Sequence, residues 1–459
     1  MAASDPDVGL YAVSQKIHAR EVRGRFNTLR VIATCVLLGI FYALPWLQWN
    51  GRQAVLFDLP QRKFHIFALT FFPQDFYLLT WMLVIAALSL FFFTALAGRL
   101  WCGYACPQTV WTEIFVWMER LTEGNRQQRI KLDAGPWTFN KLWRKTSKQV
   151  LWIGLALFTG VTFVGFFTPV RELFPDALAG ELGGWELFWS LFYGFATYGN
   201  AGYMREQVCK YMCPYARFQG AMFDRNTLII SYDAARGEPR GSRRRGTDAR
   251  AQGLGDCIDC TLCVQACPTG IDIRKGLQLE CIACAACIDA CDDVMDRMQS
   301  PRGLIRYATQ ASMEGERTRI LRPRTIIYGC LLLLLIAAFA FATGHRRLVE
   351  VDVLRDRNAL YRQVDATTLE NVYTIRFVNK DERAHTLHLA VEGLPDVQID
   401  TDNAAPSIGA GEGLSLAVRL RVPSGSVQGG RDIRVIVTAD DDERIRTVAK
   451  ARFIAPVTP

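Results

Sequence analysis

Two runs of cysteine at identical short spacings are the residues of this sequence best suited to carry chemistry. Each run reads C-x2-C-x2-C-x3-C, and both lie between Asp256 and Asp292. Two-residue gaps let one tight loop offer three thiolates to three irons of a cubane, and a fourth thiolate ties in a more distant part of the chain. Zinc also binds C-x2-C pairs, but a zinc site does not require the third and fourth cysteines at these spacings, twice over. The first run is Cys257, Cys260, Cys263 and Cys267, followed by Pro268, and the second is Cys281, Cys284, Cys287 and Cys291.

Both runs resemble the ligand loops of bacterial two-cluster ferredoxins. In those proteins the fourth cysteine of each run ligates the other cluster. The resemblance implies two [4Fe–4S] clusters in this part of the chain. The second run departs from the pattern at Asp292, where the proline is missing, but this change removes no ligand. By this pairing, one cluster takes Cys257, Cys260, Cys263 and Cys291, and the other takes Cys281, Cys284, Cys287 and Cys267.

Two further cysteine pairs have the spacing C-x3-C-P and follow apolar segments. Residues four apart on a helix share one face, so each pair is expected to present two thiols together. Four thiols are then expected to converge at the inner membrane edge, which suits Cu(I) or another iron centre. The alternative is that they are reduced cysteines packed at helix ends. Cys35 and Cys330 stand alone inside the predicted spans and are interpreted as packing residues. The pairs are Cys102 and Cys106, before Pro107, and Cys209 and Cys213, before Pro214.

The composition indicates a membrane protein that also carries other domains. The chain has 459 residues, 50% of them hydrophobic, and a formal net charge of +8. Five windows contain no Asp, Glu, Lys or Arg and are long enough to cross a bilayer as helices. The N-terminus lacks a short apolar region with a small-residue cleavage site, so no cleaved signal peptide is expected. The windows are Val31–Trp49, Phe76–Gly98, Gln149–Val170, Leu187–Met204 and Thr325–Gly344.

Basic residues in the loops set the expected orientation. Nine Lys and Arg lie between the second and third windows, whereas three lie in the loop 50–75. Because basic loops stay cytoplasmic, the pattern predicts an N-terminus inside, cluster cysteines in the cytoplasm and a C-terminal tail outside. Cysteine usage agrees, since cluster thiols need a reducing compartment and no Cys follows Cys330.

The tail from residue 345 onward changes to an alternating hydrophobic pattern. Short runs of period two, separated by turn signals such as Pro423–Gly425, are typical of an all-β, immunoglobulin-like sandwich. A Cys–Trp–Cys pattern is absent, which excludes an antibody-type domain. His385 and His388 are interpreted as ordinary exposed histidines. The alternating runs are Val372–Val378, Leu387–Val391, Leu414–Val422, Ile433–Thr438 and Ile445–Ile454.

These patterns divide the chain into five parts. The fold class is a polytopic α-helical membrane protein of five spans, with an inserted 2[4Fe–4S] ferredoxin domain and a C-terminal sandwich. The parts are a loosely ordered cytoplasmic segment (1–30), a membrane domain of four spans with both C-x3-C-P motifs (31–230), a linker and ferredoxin domain (231–324), a fifth transmembrane helix (325–344) and a β-sandwich (345–459).

Several other features suggest a function, but each gives a weaker signal than the cysteine motifs. His65 and Asp75 could accept protons from a quinol, but a surface loop anchored by aromatic residues is the favoured interpretation. Arg243–Arg245 could bind lipid headgroups or an acidic partner, and a flexible basic linker is favoured. An interfacial helix is expected near Val110–Leu121. No nucleic-acid-binding fold is indicated, so nucleic acid is not expected as a partner.

The assembled pattern resembles the FixG family, also called CcoG or RdxA, of cytochrome c oxidase accessory proteins. The resemblance rests on the stretch Ala97–Trp111, the Cys209–Pro214 repeat, the eight ferredoxin cysteines and a sandwich after the last span, and it covers nearly the whole chain. It implies a multi-pass protein of the bacterial inner membrane with a periplasmic sandwich. The implied role is assembly of cbb3-type oxidase by reduction of Cu(II) to Cu(I). The implied partners are oxidase subunits or copper-delivery proteins, with an unidentified cytoplasmic or quinol electron donor.

Two other functions fit the same residues. The C-x3-C-P elements also resemble those of NapH and NosR membrane ferredoxins, which implies a quinol-linked conduit to a periplasmic partner. A non-redox assembly scaffold with structural clusters is the third interpretation. A scaffold tolerates clusters that cannot be reduced, whereas an electron carrier does not.

Overall fold

The chain folds into two compact units. A computed structural model describes residues 16–245, 249–356, 359–442 and 445–456. The first unit comprises Met1–Leu47 and Met82–Ile336, and the second comprises Gln48–Trp81 and Ala337–Pro459. The second unit therefore contains the loop between the first two predicted spans together with the predicted sandwich.

Helices dominate the first unit, and their ends follow local chemistry. Thr138 caps α6, because its hydroxyl accepts a hydrogen bond from the N–H of Lys141. The helices are α1 (Arg25–Ala43), α2 (Phe76–Ala97), α3 (Leu100–Tyr104), α4 (Pro107–Glu123), α5 (Arg126–Ala134), α6 (Phe139–Val164), α7 (Val170–Ala179), α8 (Gly184–Thr197), α9 (Pro214–Met222), α10 (Ala234–Gly237), α11 (Leu262–Ala266), α12 (Ala286–Met298), α13 (Gln310–Met313) and α14 (Pro323–Gly344).

Strands occur in three places: after α1, beside the cysteine runs, and after α14. They are β1 (Gln48–Trp49), β2 (Arg52–Gln53), β3 (Val55–Asp58), β4 (Lys63–Ile66), β5 (Leu69–Phe71), β6 (Ile229–Tyr232), β7 (Ile305–Ala308), β8 (Val349–Arg355), β9 (Arg362–Asp365), β10 (Thr368–Asn379), β11 (His385–Glu392), β12 (Gln398–Thr401), β13 (Ser407–Ile408), β14 (Gly413–Pro423), β15 (Gly430–Ala439) and β16 (Arg446–Ile454).

Four helical segments in the described part of the chain are long and apolar enough to cross a membrane. They correspond to the first, second, third and fifth predicted windows. Their mean hydropathy lies between 1.4 and 2.5. The segments are Arg25–Trp46, Pro73–Ala97, Phe139–Val164 and Pro323–Gly344.

The fourth predicted window, Leu187–Met204, is helical but irregular. α8 has 14 residues, fewer than a bilayer-spanning helix needs. The chain then continues in wider π-helical turns over Tyr198–Met204. Arg205 adopts a left-handed conformation with φ of 40° and ends the helix. A fifth span therefore remains a prediction.

The cysteine runs form a small domain around α11 and α12, with β6 and β7 paired antiparallel beside them. α11 ends just before Cys267 and Pro268. α12 instead continues past Cys291 to Met298. The difference follows from Asp292, because a proline there would remove a helical hydrogen bond and clash with the preceding turn.

The segment 16–30 is ordered against this domain, so the expectation of a loose N-terminal segment is wrong for these residues. The carboxylate of Asp289, on α12, accepts hydrogen bonds from the N–H groups of Phe26 (3.3 Å) and Asn27 (2.7 Å). Backbone N–H groups at a helix start lack partners within the helix, and negative charge stabilises them. The first span therefore starts on the ferredoxin domain. Residues 1–15 lie outside the described residues.

A buried carboxylate on α4 ties the same segment to its neighbours. α4 contains the predicted helix near Val110–Leu121. Glu119 is fully buried and lies 2.7 Å from Arg205, 3.4 Å from Lys16 and 3.6 Å from Arg129. Burial alone would raise the pKa of Glu119, but these cations lower it to about 2. The ion pairs therefore contribute to stability above the ordinary pKa of 4.5, and that contribution is lost as the pH falls toward 2.

The C-terminal part of the second unit is a two-sheet antiparallel sandwich, which confirms the immunoglobulin-like prediction. One sheet has the order β12-β14-β10-β8, with β9 also paired to β10, and the other has the order β13-β11-β15-β16. Tyr373, Ile375 and Phe377 alternate along β10 and are buried in the core. In the register, Tyr373 faces Val418 and Ile375 faces Leu416.

His385 is buried, so its interpretation as an ordinary exposed histidine is wrong. Its Nδ1 lies 2.8 Å from Asp441, and its Nε2 lies 3.1 Å from Asp381. The side chain is 1% exposed. His385, the first residue of β11, thus connects the loop before β11, which holds Asp381, to the loop after β15, which holds Asp441. His388 is exposed, as expected, and pairs with Asp440.

The loop 50–75 contains more regular structure than a surface loop anchored by aromatic residues, which was the favoured interpretation. β1 pairs with β2, and β3, β4 and β5 form a separate sheet. His65 bonds to Thr70 at 3.0 Å, and burial, together with Arg52 and Lys63, lowers its pKa to about 4. Asp75 is buried and pairs with Lys380 at 2.8 Å. His65 and Asp75 therefore take different partners, and the loop supplies no paired proton acceptor.

We predict that Lys380→Met destabilises the second unit by about 3–5 kcal/mol, because it leaves the Asp75 carboxylate buried without its cation. Thermal unfolding in detergent, followed by the circular dichroism of the β-sheets, should show a Tm lower by roughly 6–20 °C. Arg434→Gln is the matched control, since its pair with Glu392 is exposed and contributes less than about 1 kcal/mol. Equal Tm values for the two variants would contradict the prediction.

Candidate metal centres

The two ligand loops share an unusual backbone conformation. Asp259 and Thr261 in the first run, and Ala283 and Ala285 at the same positions of the second, have φ between 53° and 58°. Left-handed residues other than glycine are rare and concentrate at functional sites. Alternation with right-handed residues turns successive N–H groups to one side and makes a concavity that binds anions. An iron–sulfur cluster with four thiolate ligands is such an anion, so the backbone of both loops fits one.

Two cavities lie inside these loops, and each is lined by the four thiols of one predicted set. The structure thus brings the fourth cysteine of each run to the other run's loop. Site I is a cavity of about 360 Å³ bordered by Cys257, Cys260, Cys263 and Cys291. Site II is a cavity of about 320 Å³ bordered by Cys267, Cys281, Cys284 and Cys287.

Except for the exposed Cys260, the cysteines of these sites are buried or half-buried, and burial changes the acidity of their thiols. Burial raises the pKa of Cys281 and Cys291 to about 12, and that of Cys263 to about 11. The thiolate is the ligand, so a metal must displace these protons when it binds. The sites therefore suit a metal centre that bonds strongly to sulfur.

The C-x3-C-P cysteines, Cys102, Cys106, Cys209 and Cys213, are here called the membrane-edge thiols. Cys102 lies on α3, and Cys209 lies on a π-helical turn, Val208–Met212. Cys106 and Cys213 are extended residues that directly precede the prolines at the start of α4 and α9. The expectation that each pair shares one helix face is therefore wrong. Proline begins a new helix here, where its missing N–H has no cost.

Both pairs nevertheless meet beside site II. Cys102, Cys106 and Cys209 each lie near enough to other membrane-edge thiols to be affected by their charge. Cys102 and Cys209 also pack against Ile282 and Cys284 of the site II loop. Burial raises the pKa of Cys102 to about 11 and that of Cys209 to about 12. The four thiols therefore form one half-buried group next to the second cluster loop.

Gly103 brings the backbone of α3, which carries Cys102, into direct contact with the site II loop. A Cβ atom at this position would lie 2.8 Å from the carbonyl oxygens of both Ile282 and Ala283. Backbone atoms cannot move away as a flexible side chain could. Only glycine at this position therefore allows α3 to lie so close to the site II loop. The residue between Cys102 and Cys106 thus touches the loop between the first two cysteines of the second run.

Two residues that sequence reasoning missed hold the site II loop in place. The guanidinium of Arg99 donates hydrogen bonds to the carbonyl groups of Leu279 and Ala216. The hydroxyl of Tyr307 donates to the carbonyl of Ala283 at 2.6 Å. The position of Arg99 beside the first C-x3-C-P motif was a usable signal, whereas no sequence pattern points to Tyr307.

The choice between zinc and iron–sulfur clusters depends on how the thiols are arranged. Within the ranges that the structure describes, no three His, Cys, Asp or Glu side chains could hold a single metal ion. A tetrahedral zinc site gathers its ligands around one centre, whereas a cubane gives each thiolate a different iron. The doubled C-x2-C-x2-C-x3-C spacing in the sequence favours clusters over zinc at sites I and II.

Arg243 belongs to the folded ferredoxin domain, so the interpretation of a flexible linker is wrong for this residue. Its guanidinium donates to the carbonyl of Gly255 at 2.7 Å and to the hydroxyl of Ser300 at 3.2 Å. Arg244 and Arg245 are exposed. The first arginine therefore packs next to the site I loop, which begins at Cys257.

Three family models match the chain. A "4Fe-4S dicluster domain" matches residues 204–310, which include Cys209, Cys213 and both ferredoxin runs. A "4Fe-4S binding domain" matches residues 78–123, which include Cys102 and Cys106. The "IG-like fold at C-terminal of FixG" matches residues 339–456. Iron–sulfur binding domains and an immunoglobulin-like C-terminal domain are thus present.

Curated proteins match over most of their length. The nitrogen fixation protein FixG of Rhizobium meliloti is 34% identical over 97% of this chain and 94% of its own. Proteins RdxB and RdxA of Cereibacter sphaeroides are 39% and 38% identical, over 86% and 89% of this chain and 85% and 87% of theirs. A crystal structure of a FixG-related protein from Vibrio parahaemolyticus is 30% identical over 23% of this chain and 95% of its own, with a TM-score of 0.22.

We predict that Ala285→Val removes the site II cluster, because a β-branched residue is strongly disfavoured at φ of 58°. Iron and sulfide in anaerobically purified protein should fall from about eight to about four atoms of each per chain. Ala285→Gly is the matched control and should retain the iron, since glycine adopts this conformation freely. Full iron content in the valine variant, or stoichiometric zinc in the wild-type protein, would contradict the assignment.

Proposed function

The chain belongs to the FixG family, and we propose that it carries electrons from two cytoplasmic [4Fe–4S] clusters to copper at the membrane edge. Cu(II) takes one electron there and becomes Cu(I), which serves the maturation of a cbb3-type cytochrome c oxidase. The observation that carries this proposal is the backbone contact of Gly103, within the first C-x3-C-P motif, with the site II loop.

The residues of the chain have separate tasks in this proposal. When bound, the clusters supply one-electron storage and transfer. The left-handed loops hold the cluster thiolates and turn N–H groups toward them, and the surrounding apolar residues exclude water. The membrane-edge thiols prefer Cu(I) to Cu(II). Their affinity for copper must stay moderate, so that copper can leave for its acceptor.

The proposed topology has five spans, with the N-terminus and ferredoxin domain in the cytoplasm and the sandwich in the periplasm of the inner membrane. The basic loops support this orientation. Four apolar helices support four of the spans. The proposed domain bounds are those predicted from the sequence, and oxidase subunits or copper-delivery proteins are the proposed periplasmic partners.

An additional iron–sulfur centre at the membrane-edge thiols is the second candidate. The match of residues 78–123 to a 4Fe-4S binding domain favours it, because that range holds Cys102 and Cys106. A quinol-linked conduit is less favoured, since the carboxylate of Asp75 is already paired with Lys380. No contact within the described ranges specifically favours a non-redox scaffold.

We predict that Cys209→Ser combined with Cys213→Ser lowers Cu(II) reduction roughly ten- to a hundredfold while iron content and cluster reduction stay at wild-type levels. The assay offers Cu(II) and, separately, a quinone analogue to dithionite-reduced protein. Cys35→Ser with Cys330→Ser is the matched control, because both residues are exposed cysteines away from the site.

The outcomes separate the candidates. A wild-type rate of copper reduction in the double variant would make these thiols structural. Loss of iron would assign them to an additional iron centre. Reduction of the quinone analogue, with none of Cu(II), would favour the quinol-linked conduit.

We further predict that Gly103→Ala slows Cu(II) reduction on the order of tenfold, because the added methyl group pushes α3 away from Ile282 and Ala283. The iron content should not change, since residue 103 is no cluster ligand. Gly39→Ala is the control, as nothing lies within 4 Å of its Cβ position. Equal rates for both variants would show that this contact does not set the rate.

A further inference from the structure

A cleft with no role in the proposed electron path opens beside site II. It has a volume of about 870 Å³, including its open mouth. Its walls come from the N-terminal segment, α1, α4, the turn that carries Cys209 and the two ligand loops. Cys209 and Cys284 both border it.

The cleft, here called the arginine pocket, has an excess of positive charge. Five guanidinium groups border it, against two carboxylates, those of Glu113 and Glu206. Clefts lined by charge of one sign concentrate ligands of the opposite sign. Glu119 pairs with Arg129 and Arg205, and Glu21 with Arg120, so these two carboxylates offset part of the charge. Five guanidinium groups against four carboxylates still leave an excess of positive charge, and the pocket therefore favours an anionic ligand. The guanidinium groups belong to Arg20, Arg30, Arg120, Arg129 and Arg205.

Three of these arginines have an N–H donor without a hydrogen-bond partner among the described residues. The Nε atoms of Arg30, Arg120 and Arg129 are buried and have no hydrogen-bond partner among the described residues. Arg30 and Arg129 are only 7% and 1% exposed. Buried donors are normally paired in folded proteins, so these groups indicate an acceptor in the pocket.

The carboxylates nearby do not satisfy these donors. Arg30 Nε lies 3.6 Å from Glu113, beyond hydrogen-bond distance. Arg120 Nε lies 3.8 Å from Glu21. The Arg129 guanidinium uses one nitrogen on the carbonyl of Ala19, at 2.9 Å, and keeps Nε free of protein acceptors in the described chain.

We propose that the arginine pocket binds an organic anion whose phosphate or carboxylate oxygens accept hydrogen bonds from Arg30, Arg120 and Arg129. The planar guanidinium fork matches these oxygens with two parallel hydrogen bonds. Val116 and Ile282 add an apolar wall for the carbon part of the ligand. The source is either a soluble phosphate or carboxylate compound or the headgroup of an anionic lipid.

The ligand is coupled to the nearby cluster through Arg30. Arg30 and Cys284 both border the pocket, so the positive charge of this guanidinium lies beside the site II loop. An anion paired with Arg30 offsets that positive charge, so reduction of a cluster held by Cys284 becomes less favourable. Binding should therefore shift the reduction potential of the site II cluster to a more negative value.

The test uses full-length, oxidised protein in detergent and does not depend on electron transfer to copper. Inorganic phosphate is titrated by calorimetry, and co-purifying phosphatidylglycerol is counted by mass spectrometry. Arg30→Gln combined with Arg120→Gln should weaken phosphate binding at least about tenfold, or remove the bound lipid. Arg297→Gln, an exposed arginine on α12 outside the pocket, should leave both unchanged.

Each outcome decides the proposal. Saturable phosphate binding that the double variant loses assigns a soluble ligand, and one lipid per chain that it loses assigns a headgroup. Absence of both in the wild-type protein, or their full retention in the double variant, overturns it. The iron content of each variant checks its folding, and single Arg120→Gln, which alters a partly exposed side chain, should show the same direction if the double variant fails to fold.

Discussion

The close approach of α3 to the second cluster loop is the constraint on which the rest of the first unit depends. A backbone without a side chain at residue 103 lies directly against the carbonyl groups of Ile282 and Ala283. Cys102, the residue before it, thereby packs against the apolar cluster that contains Ile282 and Cys284 of that loop. The electron transfer that we propose between the cluster domain and the membrane-edge thiols needs such a contact.

Buried polar groups stabilise that contact from several sides. Arg99 donates to carbonyl groups of the cluster loop and of α9, so one side chain connects three parts of the unit. Asp289 accepts from the first N–H groups of α1 and anchors a span on the cluster domain. Each of these groups is buried, so loss of one partner leaves the other without compensation, which is costly. These contacts therefore hold the cluster domain against α1 and α9.

The structural features that depend on the spacing of residues and on hydrophobic periodicity could be predicted from the sequence. The eight cysteines line two cavities in the predicted sets, and the five alternating runs lie in strands of the sandwich, because burial on one face imposes a period of two. Contacts between distant residues could not be predicted in this way. No local pattern shows that Lys380 pairs with Asp75, or that His385 is buried between aspartates. The left-handed Ala283 and Ala285 were also missed, since alanine does not normally mark that conformation.

The most direct test of the central claim is a single-turnover experiment on full-length protein with pre-reduced clusters. Rapid anaerobic mixing with Cu(II) is followed by cluster absorbance and by a chromogenic Cu(I) chelator in the same sample. The account predicts that the clusters reoxidise as Cu(I) appears, with one Cu(I) formed for each electron that they lose. Clusters that stay reduced in the presence of Cu(II), or Cu(I) that forms without their reoxidation, would contradict it.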